Sequence, residues 1–173
     1  RAAGGASLVI SVAVAVEARG RISPYDVGIW SDAHIEPLAR VTAFIKSQGA
    51  VPGMQIAHAG RKACSQRPWL GGKPIQPGEA EFWQSAAPSP LAYDAGYQAP
   101  RELTLDEIHA VQAAFRDGAA RAAAAGFEWL EIHAAHGYLI NNFLSPLSNQ
   151  RSDAYGGSFD NRVRFLLETV RSI

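Results

Sequence analysis

Three ring side chains that can hydrogen-bond or transfer protons, His133, His136 and Tyr138, fall within the stretch EIHAAHGYL (131–139). They follow FEWLEI (127–132), a short apolar run of strand length. A histidine pair three residues apart, just past a strand, suits three roles. Two imidazole N–H groups can grip a carbonyl oxygen and stabilise negative charge developing on it. The same pair can bind a metal ion, as in zinc and iron sites. Or both rings can be loop histidines with ordinary hydrogen bonds. A catalytic zinc site wants three protein ligands, and no carboxylate stands at a ligand-like spacing beside the pair. Strand alternation does put Glu131 on the same face as His133, which leaves it open as a ligand or as a group supporting one. Tyr138 suits the oxyanion role better, because a phenol with a pKa of about 10 donates protons and is a poor ligand for most divalent metals.

Gln55 is the second chemical signal. It interrupts the apolar run VPGMQIA (51–57), where an unpaired buried amide would cost on the order of 1–3 kcal/mol. It either bonds neighbouring backbone or presents its amide to the donor–acceptor edge of a heterocycle. His58, Arg61 and Lys62 follow directly, the two cations reading as a solvated loop pair or as salt-bridge partners.

These residues need elements to position them. LVISVAVAV (8–16) is a continuous apolar run, as expected of a parallel strand covered on both faces. Ser31 or Asp32 can cap a helix carrying Ile35, Leu38, Val41 and Ile45, closed by Gly49. After the strand at 51–57, residues 58–103 contain six prolines and form a long connection, of a kind that is usually functional or holds small elements of its own. Thr104 and Glu107 make a capping box for an alanine-rich helix with Ile108, Val111, Phe115 and Ala122 on one stripe, ended by Gly126. After a second loop, Ser158 can cap a last helix with Phe159, Val163, Leu166, Leu167 and Val170.

The order is β-α-β-α-β-α, an α/β fold with helices covering parallel strands. No G-x-G-x-x-G follows any strand, which removes the usual dinucleotide fingerprint. Gln55, His58, His133, His136 and Tyr138 all fall at or beyond C-terminal strand ends, where a (β/α)₈ TIM barrel keeps its active site. Three βα units cannot close eight strands, so residues 1–173 are expected to be one partial barrel domain, an internal stretch of a larger one. Sixteen basic and sixteen acidic residues cancel, which gives no reason to expect nucleic acid or an anionic membrane as partner. The apolar opening is short and β-branched, and it reads as a strand, not as a signal peptide or a membrane span. A single cysteine, Cys64, excludes an internal disulfide and fits a reducing, cytoplasmic compartment.

The stretches QIAHAGRKA and EIHAAHGYLINNFLSPLSNQRSDAYGGSFDNRVRFLLE, with GRISPYDVGIWSDAHI upstream, resemble the Old Yellow Enzyme family, and most closely its bacterial NADPH dehydrogenase and xenobiotic reductase branch. The resemblance runs from about residue 8 to the end and is least distinctive over 64–100. It implies a barrel that uses FMN and NADPH to reduce the C=C bond of α,β-unsaturated carbonyl compounds, with a small-molecule enone as substrate and a homo-oligomer, dimer or tetramer, as the assembly. It further implies that His133 and His136 hydrogen-bond the substrate carbonyl and lie near the flavin. Gln55 would bind the pyrimidine edge of the ring, Ala15 would contact it through its backbone, and Tyr138 would take the proton donor's position. Relatives carry polar residues near Val12 and Val14, where this chain is apolar. Arg151 and Arg162 are expected to tie their loop by salt bridges, and Trp69 either simply anchors its loop, as aromatics often do, or serves as a lid or a subunit contact. The competing readings are a metal-dependent barrel hydrolase built on the histidine pair, and a non-catalytic fragment unable to hold FMN alone.

Overall fold

A computed structural model describes all of residues 1–173. Strands β1 (Leu8–Ala15), β2 (Val51–Ala57) and β5 (Trp129–Ile132) form one parallel sheet in the order β1-β2-β5. Helix α1 (Ile35–Ser47) connects β1 to β2, and α2 (Leu105–Ala124) precedes β5. The proline-rich connection has small elements of its own: two-residue strands β3 (Ala86–Ala87) and β4 (Arg101–Glu102), paired in parallel, and single 3₁₀ turns at 60–62 and 68–70. The second loop also contains an unforeseen short helix, α3 (Leu139–Leu144), before α4 (Phe159–Ser172).

Caps follow the sequence signals. Thr104 and Glu107 close a reciprocal capping box on α2, and the Ser158 hydroxyl accepts from the Asn161 N–H at the start of α4. Ser31 caps a 3₁₀ turn at 32–34 that leads into α1. Val14, Met54 and Ile56 on one face of the sheet are fully buried against Ile108, Val111 and Phe115 of α2 and their neighbours. Phe143 of α3 stacks on Phe165 of α4 at 4.3 Å between ring centroids, joining the second loop to that core.

Three expectations are corrected. Within residues 1–173 the run 8–16 is packed on one face only: β1 stands at one end of the three-stranded sheet, and Val12, at an irregularity in its pairing with β2, is 71% exposed. On α1 the buried residues are Thr42 and Ile45, while Val41 is exposed, because Thr42 donates its hydroxyl to the Ala125 carbonyl (2.6 Å) and turns that face inward. On α4, Phe165 and Thr169 face the core, and Phe159, Leu167 and Val170 face solvent.

Candidate functional site

The parallel register places Ala13, Gln55 and Glu131 side by side across three strands. Their side chains share the face opposite Val14 and Ile56, near the C-terminal strand ends. The Gln55 side-chain amide donates to the Glu131 carboxylate, so it is neither an orphan nor bonded to backbone. Its carbonyl oxygen accepts no hydrogen bond from the protein and is not buried. Ala15 departs from the role expected of it: its N–H donates to the Val27 carbonyl and its own carbonyl accepts from Ile29, each at 2.9 Å. The backbone of Ala13, two residues earlier on the same strand, points to the same side, where β1 has no neighbouring strand.

His133 is the first residue beyond β5, and its N–H donates to the Ile56 carbonyl (3.0 Å). Its ring Nδ1 accepts from the Ala135 N–H (3.3 Å), which assigns the proton of the neutral ring to Nε2. That Nε2 lies 3.2 Å from Nδ1 of His136, so His133 donates and His136 accepts. The Tyr138 ring lies against His133 with centroids 4.5 Å apart, and its hydroxyl has no hydrogen bond within the protein.

The turn carrying these rings is held from several sides. His136 has φ +56°, a left-handed conformation that costs a non-glycine residue free energy and persists only where neighbours impose it. The Lys62 ammonium donates to the His136 carbonyl (3.1 Å), Asn141 accepts from the Gly137 N–H (2.9 Å), and Asn142 donates to the Gly137 carbonyl (2.8 Å). Burial, then the neighbouring His136 and the Lys62 charge, pull the His133 pKa below the ordinary histidine value against the opposing pull of Glu131. Burial, followed by Asp26 and Tyr97, pushes the Tyr138 phenol up, keeping it protonated at neutral pH.

A second histidine anchors the sheet side of the site. His58 is 1% exposed; its Nδ1 accepts from the Gly60 N–H (3.0 Å) and its Nε2–H donates to Glu17 (3.1 Å). Burial alone would raise the Glu17 carboxyl, but the hydrogen bond and charge of His58, then those of Arg19, hold it down at about 2. Glu17, Asn142 and Lys62 are the residues that sequence reasoning missed as parts of this site. For Glu17 the signal was an acidic residue placed directly after an apolar strand.

Arg61 and Lys62 are not salt-bridge partners. Neither has a carboxylate within ion-pair distance, and both sit over the Tyr93 ring, at 5.7 and 4.6 Å from its centroid. Arg151 does tie its loop, pairing with Asp153 and Glu102 and donating to the Pro88 and Leu103 carbonyls. Arg162 ties it through the Leu144 and Gly157 carbonyls, without a carboxylate. Trp69 is exposed on its 3₁₀ turn. No group of three or more His, Cys, Asp and Glu side chains is disposed to hold a metal ion, and no helix is long and apolar enough to cross a membrane.

The NADH:flavin oxidoreductase / NADH oxidase family matches the chain over residues 1–173, and the chain belongs to that family. An NADH:flavin oxidoreductase of Gibberella zeae is 47% identical over 96% of this chain and 41% of its own length. An NADPH dehydrogenase of Bacillus velezensis is 46% identical over the whole chain and 46% of its own length. The old yellow enzyme homologue of Zymomonas mobilis superposes with a TM-score of 0.82 at 34% identity, over 99% of this chain and 48% of its own. The chain therefore spans under half the length of these relatives, and its three-stranded sheet is part of their barrel.

Proposed function

We propose that the protein to which this chain belongs is an FMN-dependent NAD(P)H oxidoreductase that reduces the C=C bond of α,β-unsaturated carbonyl compounds. The observation that carries this reading is the pairing of two imidazole nitrogens, 3.2 Å apart, beside a phenol whose hydroxyl is free. Family membership and the dehydrogenase relatives support the redox class.

The residues present fit a flavin ring. Ala13, Ala15 and Ala57 are small side chains at the strand ends, with Tyr138 beside them, and leave that surface without bulk where a flat ring would lie. Gln55, on the row of Ala13, keeps a carbonyl acceptor and one amide N–H for the donor–acceptor edge of a heterocycle. Bound reduced flavin would supply the hydride, which leaves this chain to orient the alkene and polarise its carbonyl.

His133 does the second task through Nε2–H, a donor fixed by the Ala135 N–H. His136 joins it by carrying its proton on Nδ1, so that both rings donate to one oxygen as charge gathers there. Tyr138, kept protonated, delivers a proton to the carbon next to the carbonyl and regains one from solvent. Removing one such donor costs roughly 10²–10³ in rate. The test is the oxidative half-reaction of the full-length protein with 2-cyclohexenone in the His133→Ala and His136→Ala variants. Unchanged rates in both would overturn the assignment.

A further inference from the structure

Lys62 stands on the turn after β2 and reaches across to the turn after β5. Its ammonium donates to the His136 carbonyl at 3.1 Å and lies 4.6 Å from the centroid of Tyr93 and 5.5 Å from that of Tyr138. No carboxylate comes within ion-pair distance of it. Two of its three N–H donors have no protein acceptor. The other charged and titratable groups around the histidine pair form no ion pair with it, although the Glu131 carboxylate acts on His133 in the opposite sense. Glu131 is engaged by Gln55, and Asp26 accepts from the Ile22 and Ser23 N–H groups and the Ser23 hydroxyl. Tyr97 and Tyr138 carry phenols, and Tyr138 is kept protonated. An ammonium facing aromatic π-faces gains from cation–π attraction, and its field reaches a nearby anion, reduced by solvent screening at this exposed turn.

We propose that Lys62 is a fixed positive charge of this site, which selects ligands whose oxygen at His133 and His136 is, or becomes, negative. The inference rests on the reading of the pair as a carbonyl-oxygen site. It adds a specificity residue that acts on the charge of the bound oxygen without touching the reacting carbons. The alternative is a purely mechanical tether that holds the His136 turn.

Two probes separate these roles in the full-length protein: para-cyanophenol, acidic enough to bind as its phenolate, and neutral benzamide. By calorimetry, Lys62→Met should weaken the phenolate on the order of tenfold more than it weakens benzamide, and raise the pH at which the His133 ring signals titrate in NMR. Lys62→Arg, which keeps the charge, should restore both properties. Equal loss of both probes in Lys62→Met would assign the tether role and overturn the proposal, as would wild-type phenolate affinity. His136→Ala is the control for the underlying reading. If it binds the phenolate like wild type, the oxygen site is elsewhere; if it loses the phenolate while Lys62→Met does not, only the role of Lys62 fails.

Discussion

Replacing Gly60 with alanine should damage this protein well beyond the cost of an unusual backbone angle. Gly60 has φ +61°, and a Cβ built there would lie 2.3 Å from the Asn142 side-chain oxygen and 2.9 Å from the Leu139 backbone N and Cα. The angle alone costs an L-residue about 1–2 kcal/mol. The overlap is with backbone at the start of a buried helix, so relief requires moving α3, an overpacking cost of about 1–3 kcal/mol. The sum is about 2–5 kcal/mol. Gly49 is the matched control, with φ +77° and nothing within 4 Å of its Cβ, so Gly49→Ala should cost only the angular part. Urea unfolding of the two variants, compared at constant m-value, reads the difference directly. Equal destabilisation would refute the close approach of the two loops. The displacement also has a functional reading, because Asn142 accepts from the Arg61 N–H and donates to the Gly137 carbonyl. Gly60→Ala should therefore disturb the His136 turn, and Gly49→Ala should not.

Two other perturbations follow from buried charges. The Glu17 carboxyl, held at about 2 against an ordinary 4.5, binds fewer protons folded than unfolded. Its stabilisation is complete above pH 4.5 and is lost as pH falls towards 2; the shift corresponds to about 3 kcal/mol. Glu17→Gln should flatten the stability–pH curve in that window, and curves parallel to wild type would contradict a role for the hydrogen bonds of Glu17 to His58 and Arg19. Arg151, whose side chain is 5% exposed, joins Asp153, Glu102 and two carbonyls. Arg151→Met should cost about 3–5 kcal/mol by leaving those acceptors without their donor, and a loss below about 1 kcal/mol in denaturant titration would show that the loop holds without it.

Element order and caps were legible because they depend on local chemistry: Thr104 with Glu107, Ser158, and the glycines after α1 and α2. Burial was legible only where one face is apolar. On α2 the stripe Ile108, Val111, Phe115 and Ala122 is the buried one. On α4, apolar residues occur on more than one side, and periodicity does not tell which side meets Phe143. The same limit applies to β1, whose composition suits a covered strand but whose exposure depends on how many strands stand beside it. At the site, the residue types at the strand ends were visible in the sequence, while their partners were not. Gln55 to Glu131 spans 76 residues, Lys62 to His136 spans 74 and Glu17 to His58 spans 41, so each pairing exists only once the sheet has set its register.

The histidine pair shows how that assembly bears on chemistry. The two rings are hydrogen-bonded to each other, His133 donating from Nε2 to Nδ1 of His136. A bound carbonyl oxygen has to compete with that bond, and His136 has to carry its proton on Nδ1 before both rings can donate. A weak acceptor gains little from displacing a hydrogen bond already made, since exchange of one neutral bond for another is nearly balanced. An oxygen acquiring charge gains two charge-assisted bonds, each roughly twice as strong as a neutral one. On the proposed reading, the self-bonded pair would bias the site towards the charged oxygen of the transition state over the neutral one of the ground state, and only such a difference accelerates a reaction. On the role proposed for it, Lys62 would lean the same way, favouring the anion and adding to the burial that opposes protonation of His133.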